Sequence, residues 1–430
     1  GDLHSAYGWH MRSAAWATMR DINAARLSWE RAQMIADMLP ADDPNRAAMR
    51  ITPRTMMCGT AIRVHMDVGD KRFDELRELC TAAGDKASLV IAMAGLVMEH
   101  TYRGRVREAS QLASEAWTIV ESVGDPTLTI GLFFAPFYAK IESGQWGDVL
   151  EGSQRVIDLA DGDPAQGNFM VGSPLAFAFA GRGIGRYCLG QAGWRGDLEH
   201  ALAMARAADP LCYAAIVTYI YFPGIPLGVQ RADDRALGEV EAAAKVAEQS
   251  GDDLAVAFAR VTLGVALVHR DTAAERERGH MLLAEASDLW VRRRQNLCDL
   301  PIVEVLMARE RFRHGNRDEA IPLMRAAIDQ LVREGQLLVW GTAATGVLVE
   351  TLLDRADNGD VAEAEAAIDR LAVAPYEDGS SGRDIWLLRL RALLAQAQGD
   401  EVCYRDYRDR YRKIANDLGF EGHMQWAEEM

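Results

Sequence analysis

The sequence has no Gly-x-x-x-x-Gly-Lys-Ser/Thr loop, no His-Glu-x-x-His and no Cys-x-x-Cys pair. Those absences exclude phosphate binding in the P-loop manner, a zincin-type metal centre, and a framework built on close cysteine pairs. The cysteines, Cys58, Cys80, Cys188, Cys212, Cys298 and Cys403, are scattered, as expected of small buried residues in a reducing cytoplasm. Lysine is scarce: only Lys71, Lys86, Lys140, Lys245 and Lys413 stand among 47 basic residues. With abundant Ala and Gly, that bias suggests GC-rich bacterial coding, a codon inference and not a physical one. Acidic residues number 63 and the net charge is −16, a balance that repels phosphate backbones and anionic bilayers. Neither nucleic acid nor a membrane is an expected partner. No N-terminal segment joins basic residues to an apolar core, so no signal peptide is expected. The opening Gly1-Asp-Leu-His, without Met, reads as a piece of something longer.

Runs of alternating polarity are also missing, so no strand is predicted. Helices are. A Gly-x-x-x-Glu-Ala step recurs at Gly104–Ala109, Gly315–Ala320 and Gly359–Ala364, with a variant at Gly196-Asp-Leu-Glu-His200-Ala201. Seven residues after the Ala stand Ala116, Ala327, Leu371 and Ala208 respectively. The physical reading is a left-handed glycine that ends one helix, followed at once by a second helix on which small residues two turns apart admit a neighbour. Helix-ending glycines at 104, 144, 190, 315, 359 and 399 are separated by 40, 46, 125, 44 and 40 residues, and 125 is three steps of about 42. A second series, Gly84, Gly124, Gly162, Gly251 and Gly335, marks the ends of the second helices. Within Arg105–Val120, Val106, Ala109, Leu112, Ala113, Ala116 and Val120 draw one apolar stripe, with Ser110 off it; Ala320, Ile321, Met324, Ala327, Ile328 and Leu331 draw another. The fold class is therefore all-α, an α-solenoid of about ten antiparallel helix pairs over residues 1–430. A break in the stack is expected near 163–196, longer than one unit, and a capping helix at 421–430. With 49% hydrophobic residues, 13 Pro and no low-complexity tract, the chain can bury a large core.

Several features have structural explanations. The uncharged run from Pro210 to Gln230 is long enough to span a bilayer, yet Pro223, Gly224 and Pro226 interrupt it and it holds a first-helix position, where apolarity all round is expected. Gly181-Arg-Gly-Ile-Gly185 lacks the preceding strand and third glycine of a dinucleotide loop, so close helix packing is its expected role. His100, His269, His280 and His314 have no partner at ligand spacing and read as capping or surface residues. Arg292-Arg-Arg294 closes a second helix, and Tyr404, Tyr407 and Tyr411 form a buried stripe. No catalytic pair or nucleophile stands out, and no cofactor or metal is expected in this chain.

The inner lining of the stack is left as the functional candidate. Counting back from the helix-ending glycines, Met98, Tyr102, Phe134, Tyr138, Tyr219 and Tyr221 are the predicted inward positions, suited to a small-molecule effector or a partner protein and equally to packing between hairpins.

Gly315-Asn-Arg-Asp-Glu-Ala-Ile321 with Ala327 resembles the second-helix signature of tetratricopeptide (TPR) repeats, although the period of about 42 exceeds their 34 and the consensus Trp, Tyr and Pro positions are mostly unfilled. Longer repeats of this kind are similar to the maltose-regulator-like sensor domains of bacterial signalling ATPases. The tail Ala415-Asn-Asp-Leu-Gly-Phe-Glu-Gly-His-Met424 resembles the C-terminal end of large actinobacterial, especially mycobacterial, proteins that join a class III adenylate or guanylate cyclase, an AAA or STAND ATPase and a helical-repeat region. That resemblance implies a non-catalytic regulatory domain controlling linked cyclase and ATPase domains of a parent chain. The alternatives are the ligand-sensing repeats of a LuxR-type or maltose-regulator-like transcriptional regulator and a free-standing adaptor for protein–protein interaction. An enzyme on an all-helical toroid is a distant third.

Overall fold

A computed structural model describes residues 2–18, 20–64, 66, 68–168, 172–375 and 380–430. Gly1, and residues 169–171 within the expected break at 163–196, lie outside them. Among the described residues the chain is all-α, with 22 helices, one short 3₁₀ turn and no strand. The helices run as hairpins in sequence order: α1 (Leu3–Ala17) with α2 (Ile22–Asp37), α3 (Arg46–Gly59) with α4 (Asp70–Ala83), and α5 (Lys86–Tyr102) with α6 (Val106–Val123). The fourth has a broken first half, α7 (Pro126–Leu132) and α8 (Phe134–Glu142), before α9 (Trp146–Ala160). Then come α10 (Pro174–Cys188) with α11 (Trp194–Arg206), α12 (Pro210–Gly224) with α13 (Asp234–Ser250), and α14 (Asp253–Val268) with α15 (Ala273–Arg293). The last are α16 (Leu300–Arg313) with α17 (Arg317–Glu334), α18 (Trp340–Arg355) with α19 (Asp360–Ala372), and α20 (Ser381–Gln398) with α21 (Glu401–Leu418). A single helix, α22 (Glu421–Glu428), follows. This is the TPR-like architecture of ten helix pairs that the glycine spacing predicts.

The turns explain themselves locally. Gly84, Gly124, Gly251 and Gly399 adopt φ of 67°, 71°, 69° and 75°, the left-handed region that ends a helix cheaply only at glycine. An aspartate follows each and caps the next helix: Asp85 accepts from the Ser88 amide at 3.0 Å, Asp125 from Thr127 at 2.9 Å, Asp252 from Leu254 at 2.9 Å and Asp400 from Cys403 at 3.0 Å. A Gly-Asp pair thus stops one helix and starts another within two residues. The predicted stripes of α6 and α17 are buried, with Ser110 buried as well and Leu112 only half-buried.

The variant step corrects the sequence reading. Gly196 lies inside α11, which begins at Trp194, while Gly190 and Gly193 carry the left-handed turn at φ 66° and 90°. The helix therefore starts two residues early, the buried stripe becomes Leu198, Ala201 and Ala205, and Ala208 is exposed beyond the helix end. Cys403 is exposed, unlike the other five cysteines, because it sits in the first turn of α21 on its outer side.

Two compact units emerge, Gly1–Ala139 and Lys140–Met430, the boundary falling within α8. In the first unit, helices pack on their neighbours in sequence: α1 on α2, α2 on α3, α3 on α5 and α5 on α6. Gly95 on α5 makes the closest approach, its Cα facing the Cys58 carbonyl with no room for a methyl group. In the second unit α10 packs on both α9 and α11, and Gly183 and Gly185 make this possible. A Cβ on Gly183 would fall 2.6 Å from Leu198 Cδ2, and one on Gly185 2.8 Å from Leu150 Cδ2. Close packing is the role of the Gly181–Gly185 run. Among the described residues no helix is long and apolar enough to cross a membrane, and Pro210–Gly224 forms the first helix of its hairpin.

The second unit also joins its two ends. Trp194 Nε1 donates to the Leu418 carbonyl at 3.3 Å, and Arg195 pairs with Glu421 at 2.5 Å. The amides of Glu421 and His423 donate to the carbonyls of Val229 and Gly228, at 3.1 and 2.9 Å. Gly422 and Gly228 meet backbone to backbone, so that a Cβ on Gly422 would lie 2.9 Å from the Gly228 Cα. α22 thereby closes the second unit on itself.

Candidate functional site: an arginine-lined cavity in the second unit

Inside the second unit lies a cavity of about 320 Å³, bounded by α14, α16, α18, α20, the turn after α12, and α22. Six arginines line it, Arg231, Arg270, Arg276, Arg309, Arg313 and Arg389, against three carboxylates, Asp271, Glu350 and Glu429. In a chain of net charge −16 this is an inversion of sign.

The lining follows from the repeat. Arg231, Arg270, Arg309, Glu350 and Arg389 succeed one another at 39, 39, 41 and 39 residues, one charged side chain per hairpin. Two of them reach back to the preceding repeat. Arg270 donates to the Ala232 carbonyl at 2.9 Å, and Arg309 to the Val268 carbonyl at 3.1 Å, the last residue of α14. Val268 ends α14, whose last carbonyls lack partners within the helix and carry partial negative charge, so a cation there is favourable.

The arginines differ in how far their charge is met. Arg270 is saturated by Asp234 at 2.6 Å, Glu275 at 3.0 Å and the Ala232 carbonyl. Arg276, Arg309 and Arg313 share one buried carboxylate, Glu310, at 3.5, 3.9 and 2.5 Å. Arg309 makes no hydrogen bond besides that to Val268, and its Nε is buried without a partner. Desolvation and the neighbouring Arg313 push its guanidinium down to about 10, so it stays charged at neutral pH. Arg389, 9% exposed, pairs with Glu350 and lies over the Trp426 ring at 4.7 Å and the Trp386 ring at 5.6 Å, with its Nε unpartnered. Arg231 is exposed and has no ion pair or hydrogen bond among the described residues.

His269 and His314 both act as C-caps, each with Nδ1 at 2.8 Å from the carbonyl four residues back, matching the capping role read from sequence. A carbonyl can only accept, so Nδ1 of His269 carries the proton. Burial and the charge of Arg309 push His269 down to about 3, which keeps the imidazole neutral beside the arginines.

A second cavity of about 320 Å³ lies in the first unit, lined by Arg26, Arg54 and Arg72 with Glu30 and Glu75. There Arg54 pairs with Asp37 at 2.8 Å and Glu75 at 3.0 Å and Arg26 donates to the Met57 carbonyl at 2.7 Å, while both keep a buried Nε without a hydrogen-bond partner.

The residues predicted from the inner-face count fall in two groups. Met98 and Tyr102 on α5 meet Phe134 and Tyr138 on α8: the Tyr102 and Tyr138 rings stand 5.5 Å apart, and Phe134 stacks on Tyr138 at 6.3 Å. All four belong to the first unit. Met98, Tyr102 and Tyr138 are buried and Phe134 is half-buried. Tyr219 and Tyr221, both buried, lie on α12, with Tyr219 edge-on to Phe177 at 5.8 Å. Burial raises the Tyr221 phenol to about 12. None of the six lines the arginine cavity.

One group of side chains suits a metal ion: Glu142, Cys298 and Asp299, all buried, with ligand atoms within 4.8 Å of one another. Glu142 accepts from Gln336 Nε2 at 2.8 Å and Trp340 Nε1 at 2.9 Å. Burial and the charge of Asp299 raise its carboxyl well above the usual range, the chemistry of a shared proton. The members are 156 residues apart in sequence, so no motif announces them.

No family model matches the chain, and no curated protein matches it. Among solved structures it is similar to a Rap protein complexed with Competence and Sporulation Factor, at 12% identity and a TM-score of 0.42, with 98% of this chain and 99% of that one covered. It is also similar to human IFIT1, in a dimer with m7Gppp-AAAA, at 10% identity, TM-score 0.38 and coverage of 95% and 90%. For yeast Tom70 the values are 11%, 0.36, and 100% and 96%. Likeness at this level says nothing of what the chain binds.

Proposed function

We propose that this chain is a non-catalytic sensor module that holds a small-molecule effector in the arginine-lined cavity of its second unit. The observation that carries the reading is the cavity's boundary: five successive hairpins each supply at least one charged side chain, and α22, which closes the unit, supplies Trp426. A site assembled from that many elements ties occupancy to the packing of the whole unit, which is what a sensor requires. Following the resemblance of the C-terminal tail, the output is control of nucleotide cyclase and ATPase domains in a parent chain, in the cytoplasm.

Partner binding at Met98, Tyr102, Phe134, Tyr138, Tyr219 or Tyr221 would require packed rings to part, and half-buried Phe134 is the member best placed to meet a partner.

A thermal-shift screen with sugars, nucleotides and acyl metabolites tests the reading, since a ligand that binds only the folded form raises its melting temperature. The shift should disappear in Val347→Phe, which fills the cavity from α18. A screen in which no class shifts the wild type, or in which V347F responds like wild type, removes this cavity as the effector site. Sequencing the coding region on either side of the segment tests the cyclase linkage separately.

A further inference from the structure

We propose that the effector is a small oxyanion, a phosphate ester or a polycarboxylate, held by Arg231, Arg309 and Arg389; this rests on the cavity being the effector site. Three independent features of the lining support the assignment. First, cations outnumber carboxylates two to one on the wall, although acidic residues dominate the chain as a whole. Second, the counter-charge from behind the wall is unevenly placed: Asp234 and Glu275 both answer Arg270. Glu310 is the one carboxylate shared by Arg276, Arg309 and Arg313, and Arg231 has no counter-charge among the described residues. Arg309 and Arg389 each keep a buried Nε–H with no acceptor. A desolvated donor on a charged group is costly to leave unmet, and an anionic oxygen supplies what is missing. Third, the geometry at Arg389 is prepared in advance. Glu350 holds one amine and Trp426 lies against the guanidinium at 4.7 Å, so little side-chain freedom is lost when a ligand arrives.

Neighbouring groups narrow the choice. His269 is neutral, with its Nδ1 proton spent on Val265, so it adds no cation and leaves Nε2 as an acceptor. The first unit's cavity has the same size, and its Arg26 and Arg54 likewise keep an unpartnered Nε, but its wall sets two carboxylates against three arginines where this one sets three against six.

The test is isothermal titration of the full chain with inorganic phosphate, pyrophosphate, citrate and glucose 6-phosphate, with glucose as the uncharged counterpart. At least one anion should bind, at least about tenfold more tightly than glucose, and more weakly as salt is added. Phosphate esters and carboxylates are told apart by which arm binds. Arg309→Met should weaken binding by about tenfold or more, Arg309→Lys by less, and Arg231→Gln by several-fold. Arg231 has no structural bonds to lose, so R231Q keeps the proposal testable should R309M fail to fold. Glucose binding as tightly as any anion, with R231Q silent and V347F blocking it, would overturn the oxyanion assignment and leave the effector cavity standing. Anion binding that survives both R309M and V347F would place the anion elsewhere and overturn the proposal. Binding of nothing, charged or neutral, would defeat both readings.

Discussion

In the first unit the long contacts join segments 31 residues apart, as when the Val68 amide donates to Glu99 or Arg26 reaches Met57. In the second unit they also join residues 194 to 226 positions apart, from Glu142 with Gln336 to Arg195 with Glu421. The same hairpin builds both. The difference is that α22 closes one, whereas α1 of the other leaves Trp9 69% and Trp16 66% exposed. Charge differs as well: the second unit's cavity sets six arginines against three carboxylates on its wall, the first unit's three against two.

The largest effect is expected where two backbones meet with no side chain between them. Gly95→Val would drive a side chain into the Cys58 carbonyl, a backbone atom that cannot step aside, at a cost of about 3 kcal/mol. Hydrogen exchange should then show lost protection in α3, α5 and α6, with the second unit unaffected. Equal loss in both units would mean that they do not unfold as separate bodies.

Gly422→Ala tests the other side of the comparison. The new methyl would meet Gly228 at 2.9 Å, and α22 is a short helix of eight residues that can shift to make room, so about 1–2 kcal/mol is expected. Exchange should rise in α22 alone, and effector affinity should fall, because Trp426 leaves the cavity wall. Lost protection without any change in ligand binding would separate closure from sensing.

How much of this was legible in the sequence follows from the range of each interaction. Helix ends were, because a left-handed turn is a property of one residue: Gly84, Gly104, Gly144 and Gly399 all adopt positive φ. Stripes were, because burial on a neighbouring helix repeats every three to four residues. Gly196 misled because Trp194 and Gly193 set the start of α11, which a motif match does not weigh. The cavity was half-legible. The 39-to-41-residue recurrence from Arg231 to Arg389 is printed in the chain, but counting aromatic positions inward passed over it. A helix at 421–430 was expected from the sequence, but its partners were not, since nothing local says that Glu421 will find Arg195 across 226 residues.

The buried carboxyl at the start of the second unit offers a smaller, pH-dependent test. Burial and Asp299 hold Glu142 above its ordinary value of 4.5. A folded-state value raised in this way favours the folded form below the ordinary value, and that contribution is lost as pH rises through the folded-state value. Melting temperature should therefore fall over that window in wild type. Glu142→Gln, which still offers an oxygen to Gln336 and Trp340, should flatten the fall, with its advantage over wild type growing towards higher pH. Parallel curves would show that Glu142 is ionised throughout.

The smallest effect on stability belongs to the exposed end of the first unit. Trp9 and Trp16 lie seven residues apart on α1, hence on one face, and both rings carry a guanidinium, of Arg12 at 4.4 Å and Arg20 at 4.8 Å. Neither ring is buried, so the double substitution Trp9→Glu, Trp16→Glu should change unfolding free energy by no more than about 0.5 kcal/mol. Self-association should respond instead, because an apolar face without a cover is the surface through which stacked repeats aggregate. Sedimentation velocity over a concentration series reads this directly: the wild type should sediment faster as concentration rises, and the double variant should not. A large loss of stability in that variant would mean that the two rings support the fold of α1, and the contrast between a closed and an open unit would have to be redrawn.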